Sequence, residues 1–298
     1  MHIPVLLNEV INLYKTYMKK EGYFIDCTLG FGGHSEAILN TFPNIKLIGI
    51  DQDREAINYA KEKLQKFKNR ITFINDKASN VLLDFKDLEI AGILADIGVS
   101  SYQLDNKNRG FNFESDVLDM RMNLEQNLSA KDVINFYPKA DLEKIIREYG
   151  ECRRYKKVAN AIISKRPINS NRELADILAS IGIKTKKELA KIFQAIRIEV
   201  NDELNELKKI LDYSEKIAKN ETVLSIITFH SLEDRIVKNR FKEWSKKCIC
   251  KDVIKCECGG NNQKGEILTK KPIVASEDEI GKNKRSRSAK LRAFKFRV

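Results

Sequence analysis

Short apolar runs alternate with amphipathic segments between residues 23 and 96 of the chain. Runs of this length indicate buried strands, and the helical periodicity between them indicates amphipathic helices. The alternation predicts an α/β fold built on a parallel, doubly wound sheet. The predicted strands are Tyr23–Thr28, Ile45–Ile50, Ile71–Asn75 and Ala91–Asp96, and the predicted helices are His34–Phe42, Arg54–Phe67 and a short helix from Ser79.

The pattern changes between residues 108 and 200, where only helical periodicity is found. We predict helices here, with Ser129 and Asn171 as caps, over Ala130–Phe136, Asp141–Tyr149, Arg153–Ser164, Asn171–Ile181 and Lys187–Ile198. Alternation then resumes, with helices Asp202–Lys219 and Leu232–Lys246 and strands Thr222–Phe229, Glu266–Thr269 and Ala289–Arg297. The chain is therefore predicted to fold as a sheet domain in two parts, residues 1–107 and 201–298, with an all-helical insertion over 108–200.

A glycine-rich turn closes the first predicted strand and opens the first helix, with glycines at positions 30, 32 and 33. Glycines let the backbone turn tightly and approach a ligand, and the N–H groups at a helix start suit a nucleotide or a carboxylate. The second strand ends in Asp51, where an acid can accept hydrogen bonds from both hydroxyls of a ribose. These features predict a nucleoside-containing ligand. The alternative is a tight strand–helix turn that binds nothing.

The identity of the ligand is indicated by Ser35, the second residue after the glycines. Ser35 stands where the dinucleotide motif G-x-G-x-x-G has its third glycine, which counts against a nicotinamide-dependent dehydrogenase. Acids before and after the turn, Asp26 and Asp51, favour S-adenosylmethionine, which has a ribose and an amino-acid end but no pyrophosphate. The dehydrogenase remains the competing class of enzyme.

A second polar cluster follows the fourth predicted strand, which ends in Asp96. In an open parallel sheet this strand end faces the cofactor and the substrate. Gly98 allows close backbone approach, and Ser100 and Ser101 supply hydroxyls that suit recognition of a planar base. Asp96 as a cap of the following turn is the alternative. Further along, Ser231 and Asp234 fit a helix cap as well as they fit direct chemistry.

Positive charge is concentrated in two stretches of a chain whose net charge is +12. Eight basic residues and no acid lie between Gly281 and Val298, and eight basic residues lie between Arg147 and Arg172. Such concentration is typical of binding to a phosphate backbone, and a lysine-rich solvated surface is the alternative. The candidate RNA contacts are Arg153, Arg154, Lys156, Lys157, Arg285, Arg287 and Lys290.

Four of the six cysteines form the pattern Cys248-x-Cys250…Cys256-x-Cys258. The pattern is compatible with tetrahedral zinc, but its spacing is tighter than that of common zinc ribbons, and a reduced thiol-rich loop without metal is favoured. No apolar run approaches the ~18 residues of a membrane span, and no secretory signal is visible. We therefore expect a reduced, cytoplasmic protein with no membrane partner and no bound metal.

An ordered set of motifs runs through essentially the whole chain: His2–Val10, Asp26–Ser35, Asp51–Asp53, Asp96–Ser101, Gln103–Asp105, Arg109–Phe111, Leu118–Met122, Phe193–Ile198, Val200–Asn201, Phe229–Val237, Thr269–Ile273 and Arg285–Arg292. This set resembles the MraW (RsmH) family of bacterial 16S rRNA methyltransferases. The resemblance implies a Rossmann-like class I S-adenosylmethionine-dependent methyltransferase sheet with an all-helical inserted domain that recognises RNA. It also implies methyl transfer to the N4 amine of a cytosine in the P-site region of 16S rRNA.

The family's cofactor contacts fall on seven positions of this sequence: Gly32, Gly33, His34, Asp51, Ala78, Asp96 and Gln103. Ala78 is a departure, because family members often carry a larger residue there. For the reaction itself we expect Asp96 to accept from the cytosine amine and Ser100 and Ser101 to orient the ring. The implied partner is 16S rRNA or the small ribosomal subunit, and no DNA partner is expected. A non-catalytic RNA-binding ribosome-assembly factor, or a methyltransferase acting on another nucleic-acid amine, is the alternative.

Overall fold

The computed structural model describes residues 4–250 and 257–297, and the chain divides into two compact units. The sheet unit consists of Met1–Gly98 and Asn205–Val298, and the helical unit is Val99–Leu204. The insertion predicted over residues 108–200 lies inside the helical unit, which begins earlier and ends slightly later.

The sheet unit contains a sheet of seven strands in the order β3-β2-β1-β4-β5-β7-β6. The strands are β1 Glu21–Asp26, β2 Asn44–Asp51, β3 Ile71–Asn75, β4 Ile90–Asp96, β5 Val223–Thr228, β6 Gly265–Ile267 and β7 Lys290–Phe296. The first five are parallel, whereas β7 runs antiparallel to β5 and to β6. The carboxyl ends of β1, β2 and β4 therefore lie side by side at one edge of the sheet.

The helices, numbered in chain order, are α1 Leu7–Tyr17, α2 Gly33–Thr41, α3 Arg54–Lys63, α4 Ala78–Val81, α5 Ser101–Asp105, α6 Ala130–Phe136, α7 Lys139–Glu148, α8 Tyr155–Ser164, α9 Asn171–Ser180, α10 Lys186–Asn201, α11 Glu203–Ile217, α12 Ser231–Trp244 and α13 Glu277–Lys282. The helix expected over Arg54–Phe67 ends at Lys63, and a separate 3₁₀ turn covers Gln65–Phe67. None of the described helices combines the length and the apolar character needed to cross a membrane.

Helix α1 was not expected from the sequence, because its start carries no local cap. Its first turn follows Leu6, which has left-handed backbone angles and no side-chain cap. The Leu6 N–H instead donates to Glu279 Oε1 at 2.8 Å, from α13 near the other end of the chain. The cap is supplied by tertiary structure, which no local pattern can reveal.

Apolar side chains cover both faces of the sheet. Phe24 of β1 packs in one buried cluster with residues of α1, α2 and α3, and its neighbour Ile25 packs in a second cluster with residues of α11 and α12. Neighbouring residues of a strand point to opposite faces, so a strand buried on both faces reads as a continuous apolar run. The doubly wound sheet is therefore confirmed.

The helical unit has its own apolar core, formed by α6 to α10 and the segment that precedes them. Its described residues contain no strand, as the sequence predicted. Ser129 caps α6 as expected, since its Oγ accepts from the Asp132 N–H at 3.3 Å. The expected cap of α9 was wrong: Ser170 accepts from the Glu173 N–H at 3.0 Å. Asn171 is buried and donates to the Gly110 carbonyl at 2.6 Å instead.

We predict that Gly92→Ala lowers the free energy of unfolding by about 1–3 kcal/mol, because an added methyl overpacks the core. A Cβ on this residue of β4 would lie 2.6 Å from Met18 Sδ and 2.8 Å from Phe24 Cδ2. Gly281→Ala is the matched control, since a Cβ in that exposed turn of α13 meets no atom within 4 Å. Urea unfolding measures both variants, and equal stability of the two would contradict the packing described here.

Candidate active site

The turn between β1 and α2 needs glycine at positions 32 and 33 for two different reasons. Gly32 has φ of 71°, in the left-handed region, and a Cβ there would lie 2.9 Å from Leu64 Cδ1. Gly33 begins α2, and a Cβ there would lie 2.3 Å from Pro4 Cγ. From the sequence, both glycines were expected to allow a tight turn and close approach of a ligand. Packing inside the sheet unit accounts for Gly33, and conformation with packing accounts for Gly32.

Asp51, at the end of β2, joins this turn to the turn that starts α3. Its Oδ2 accepts from the Gly30 N–H at 2.7 Å, and its Oδ1 accepts from the Asp53 N–H at 2.8 Å. Burial raises the pKa of Asp51 to about 6, and the nearby charges of Asp53 and Asp26 add to the rise. Each carboxylate oxygen has two lone pairs, so both oxygens can accept a further hydrogen bond from a ligand hydroxyl.

Asp26, at the end of β1, has an internal role. Its Oδ2 accepts from Ser35 Oγ at 2.7 Å, and its Oδ1 accepts from the Thr28 N–H at 3.2 Å. Burial raises the pKa of this carboxyl, which is almost fully shielded from solvent. Asp26 therefore fixes the first turn of α2 to the end of the strand.

Asp96, at the end of β4, faces the start of α2. Its N–H donates to Thr28 Oγ1 at 2.6 Å, which ties β4 to the turn after β1. Its Oδ2 lies 3.6 Å from Nε2 of His34, a side chain that is only 8% exposed. Asp96 Oδ1 and both ring nitrogens of His34 are buried without a hydrogen-bond partner among residues 4–250 and 257–297. Buried polar atoms without partners are costly, so these three atoms are candidates for hydrogen bonds to a ligand.

Ala78 begins α4, directly after β3, and is 3% exposed in the core beneath α11. The next residue is anchored firmly, since the Ser79 N–H and Oγ donate to Oε1 and Oε2 of Glu206 at 2.9 and 2.6 Å. Glu206 was missed by the sequence analysis. It lies on α11, far along the chain, and no local signal links it to this turn.

Three predicted site residues, Ser100, Ser101 and Gln103, lie at the start of α5. Ser100 caps this helix: its Oγ accepts from the Gln103 N–H at 3.2 Å, and its own N–H donates to Gln103 Oε1 at 2.9 Å. Ser101 is the first residue of the helix. Gln103 is buried, and its carboxamide thus holds the helix start that carries both serines.

The basic residues proposed from the helical unit differ in their freedom. Arg153, Lys156 and Lys157 are exposed at the start of α8. The Arg154 guanidinium donates to the Gly182 carbonyl at 3.1 Å and also to the Ile181 carbonyl, so part of its donor capacity is used within the unit.

In the sheet unit, Arg285 is half-buried and Arg287 is exposed, both in a 3₁₀ turn before β7. Lys290 Nζ lies 3.5 Å from Oδ2 of Asp234, whose Oδ1 accepts from Arg292 Nε at 2.7 Å. These neighbours lower the pKa of Asp234, with Arg292 contributing most. Lys290 is therefore partly neutralised at this position.

The cap of α12 by Ser231 with Asp234, one of the two alternatives left open by the sequence, is not formed. The helix begins at Ser231, and His230 occupies the cap position. Glu233 performs the capping, since its Oε2 accepts from the N–H groups of Phe229 and His230 at 2.8 and 3.2 Å. Asp234 is instead committed to the pairing with β7 described above.

The profile of the MraW methylase family matches residues 1–297 of the chain. "Ribosomal RNA small subunit methyltransferase H" of Nautilia profundicola is 71% identical over 297 residues, covering 99% of this chain and 97% of that protein. The proteins of the same name from Aliarcobacter butzleri and Campylobacter jejuni strain 81116 are 55% and 52% identical, covering 99% of this chain and 98% and 97% of their own lengths.

The sheet, the glycine turn and the acidic strand ends are those of a Rossmann-like methyltransferase that uses S-adenosylmethionine as its methyl donor. The chain belongs to the MraW methylase family. The resemblance stated from the sequence, the class of fold and the donor are thereby confirmed.

We predict that the affinity for S-adenosylmethionine falls as pH is lowered through about 6, the pKa of Asp51. Ribose hydroxyls form stronger hydrogen bonds with the carboxylate than with its protonated form, so the ligand favours ionised Asp51 and binding near pH 6 releases protons. Calorimetric titration in buffers of different ionisation enthalpy measures both the affinity and the proton release.

Asp51→Asn should weaken this binding about 10–100-fold and remove its pH dependence, because hydrogen bonds to a charged group are lost. Asp53→Asn is the matched control, since asparagine serves as a helix cap as well as aspartate does and Asp53 caps α3 through the Glu55 N–H. A pH dependence retained in Asp51→Asn would contradict the assignment.

Proposed function

We propose that this protein transfers a methyl group from S-adenosylmethionine to the N4 amine of a cytosine in the P-site region of 16S rRNA. The names of the relatives support an rRNA substrate of the small subunit. The observation that carries the choice of an amine is the buried Oδ1 of Asp96, an acceptor without a partner among the described residues. It lies at a strand end of the sheet, where transferred groups are held in such folds.

The donor would be held at the strand ends of the sheet unit. Asp51 accepts from the ribose hydroxyls, and the N–H groups of the α2 start, at Gly33 and His34, suit the carboxylate of the amino-acid end. Ala78 offers its backbone and a small apolar contact beside the adenine, and Gln103 is a further cofactor contact that the family resemblance implies. When bound, S-adenosylmethionine supplies a sulfonium methyl group that is already activated.

The acceptor presents the harder chemical problem, because the lone pair of a cytosine amine is delocalised into the ring. Asp96 accepts an N–H from the amine, which favours a more tetrahedral nitrogen with its lone pair directed at the methyl group. His34, whose Nε2 lies 3.6 Å from Asp96 Oδ2, stabilises the orientation of this carboxylate. Ser100 and Ser101 orient the ring. Alignment of this kind lowers barriers by about 7–11 kcal/mol.

The RNA would be held by charge and shape. Arg153, Lys156 and Lys157 extend from α8 into solvent, and Arg287 extends from the turn before β7. Contacts of this kind fix the position of a nucleic acid without reading its sequence. The target base leaves its stack to reach a site at the strand ends, as in other enzymes that modify bases.

We predict that Asp96→Ala and Asp96→Asn abolish methyl transfer, with a loss of at least about 10²–10³-fold, typical of removing a group that acts on the transition state. Single-turnover transfer of labelled methyl to small-subunit rRNA measures the effect. Asp84→Ala, which removes an exposed carboxyl before β4, should leave the rate unchanged. Near-normal turnover in the Asp96 variants would refute the role of this carboxylate.

We predict that the double charge reversal Arg285→Glu, Arg287→Glu weakens RNA binding strongly at low salt and reduces the salt slope, because phosphate contacts release counterions. Lys61→Glu, Lys68→Glu makes the same change in net charge at exposed positions on and after α3. Filter binding over a series of salt concentrations compares the two. If both variants lose the same affinity, net charge rather than this turn accounts for binding.

The proposed reaction is tested by mass spectrometry of 16S rRNA that lacks the modification, incubated with the protein and donor as free rRNA and as assembled small subunits. We expect one methylated cytidine, with the methyl on N4, in the P-site region. Methylation of another base would favour a different nucleic-acid amine as substrate. RNA binding without transfer in either form would favour a non-catalytic assembly factor.

A further inference from the structure

Three thiols converge beyond α12, which ends at Trp244. The Sγ atoms of Cys248, Cys250 and Cys258 all lie within 4.8 Å of one another. Those of Cys248 and Cys258 are 3.6 Å apart, although ten positions separate them in the sequence. Cys256, the remaining cysteine of the sequence pattern, lies outside the described residues.

Backbone and amide hydrogen bonds produce this convergence. The Asn262 N–H donates to the Lys247 carbonyl at 3.0 Å, and Asn262 Nδ2 donates to the Cys258 carbonyl at 3.3 Å. Gly259 and Gly260 both have left-handed φ, 74° and 72°, with open space where a side chain would stand. The chain therefore reverses directly after Cys258 and returns that residue to the end of α12.

We propose that Cys248, Cys250 and Cys258 bind one zinc ion. Zinc–sulfur bonds are ~2.3 Å long, so two thiolates on tetrahedral zinc lie about 3.8 Å apart. The separation of 3.6 Å between Cys248 and Cys258 matches this value, and Cys250 is within reach of the same centre. Thiolates without carboxylates form a soft donor set that suits zinc rather than magnesium or calcium.

The surroundings of the thiols also favour a metal. Ile249, between two of the cysteines, is 58% exposed, so this segment is not held by burial of its apolar side chain. Where a short segment buries little apolar surface, a structural metal supplies the stability that a core would give. On binding, the three thiols release their protons to solvent and the ion takes a fourth ligand, which completes a tetrahedral site.

This zinc would fix the connection between α12 and β6, two elements of the sheet unit. Lys264, just before β6, returns to the helix through its N–H, which donates to the Trp244 carbonyl at 2.8 Å. The ion therefore stabilises structure and takes no part in methyl transfer. The inference does not rest on the proposed function, and its test does not use enzymatic activity.

The test is elemental analysis of the full chain, purified under reducing conditions without chelator and after removal of any affinity tag. We expect one zinc per chain in the wild type and in Cys152→Ser, a control in the helical unit. Cys248→Ser, Cys250→Ser and Cys258→Ser should each bind zinc at least about tenfold more weakly in competition with a chelating dye, as loss of a coordinating ligand requires. Cobalt substitution should give the visible absorption of tetrahedral thiolate coordination.

The proposal would be overturned by the absence of zinc binding in the reduced wild type, by an unchanged zinc affinity in any of the three variants, or by iron or copper in place of zinc. A disulfide between Cys248 and Cys258 in the freshly isolated protein would also overturn it. If a variant fails to fold, stepwise modification of the wild-type thiols with a mercurial reagent tests the site instead. Zinc should then be released in step with loss of these thiols, and zinc that stays bound after their modification would refute the site.

Discussion

The carboxylate of Asp51 accepts hydrogen bonds from the backbone amides of Gly30 and Asp53, and the geometry of the donor site depends on this double contact. It fixes the glycine turn after β1 to the turn after β2. Burial also makes the ionised form costly, with a folded pKa of about 6 against an ordinary value of 3.8. Because the folded pKa lies above the unfolded value, protonation of Asp51 contributes stability that is full below pH 3.8 and is lost as pH rises through about 6.

Above that pH the fold therefore holds a carboxylate at a cost, which ligand hydroxyls can offset. Asp96 and His34 also have buried polar atoms that are costly, because these atoms have no partners among the described residues. Natural proteins depart from complete hydrogen bonding chiefly at functional sites. Asp26, by contrast, has both oxygens bonded within the chain and serves the fold. The unsatisfied atoms thus mark Asp96 and His34 as candidates for ligand contact, beside the internally bonded carboxylates of Asp26 and Asp51.

The strands and the acidic residues at their ends could be predicted from the sequence, because apolar runs and the residues that close them are local signals. Apolar runs gave the strands, and the strand ends gave Asp51 and Asp96. What could not be predicted depends on residues distant in the chain. Glu279 caps α1, Glu206 anchors the residues after Ala78, and Pro4 explains glycine at position 33. The caps by Ser170 and Glu233 were misassigned by one or two residues, since neighbouring polar side chains offer the same local signal.

The central claim is that the carboxyl ends of β1, β2 and β4 form the methyl-donor site. A crystal structure with S-adenosylhomocysteine, the product of transfer, tests this most directly. We expect the ribose hydroxyls on the Asp51 carboxylate, and the sulfur at a distance from Asp96 that leaves room for the methyl group and the cytosine amine between them. A product bound elsewhere, or a turn closed by side chains in its presence, would contradict the account.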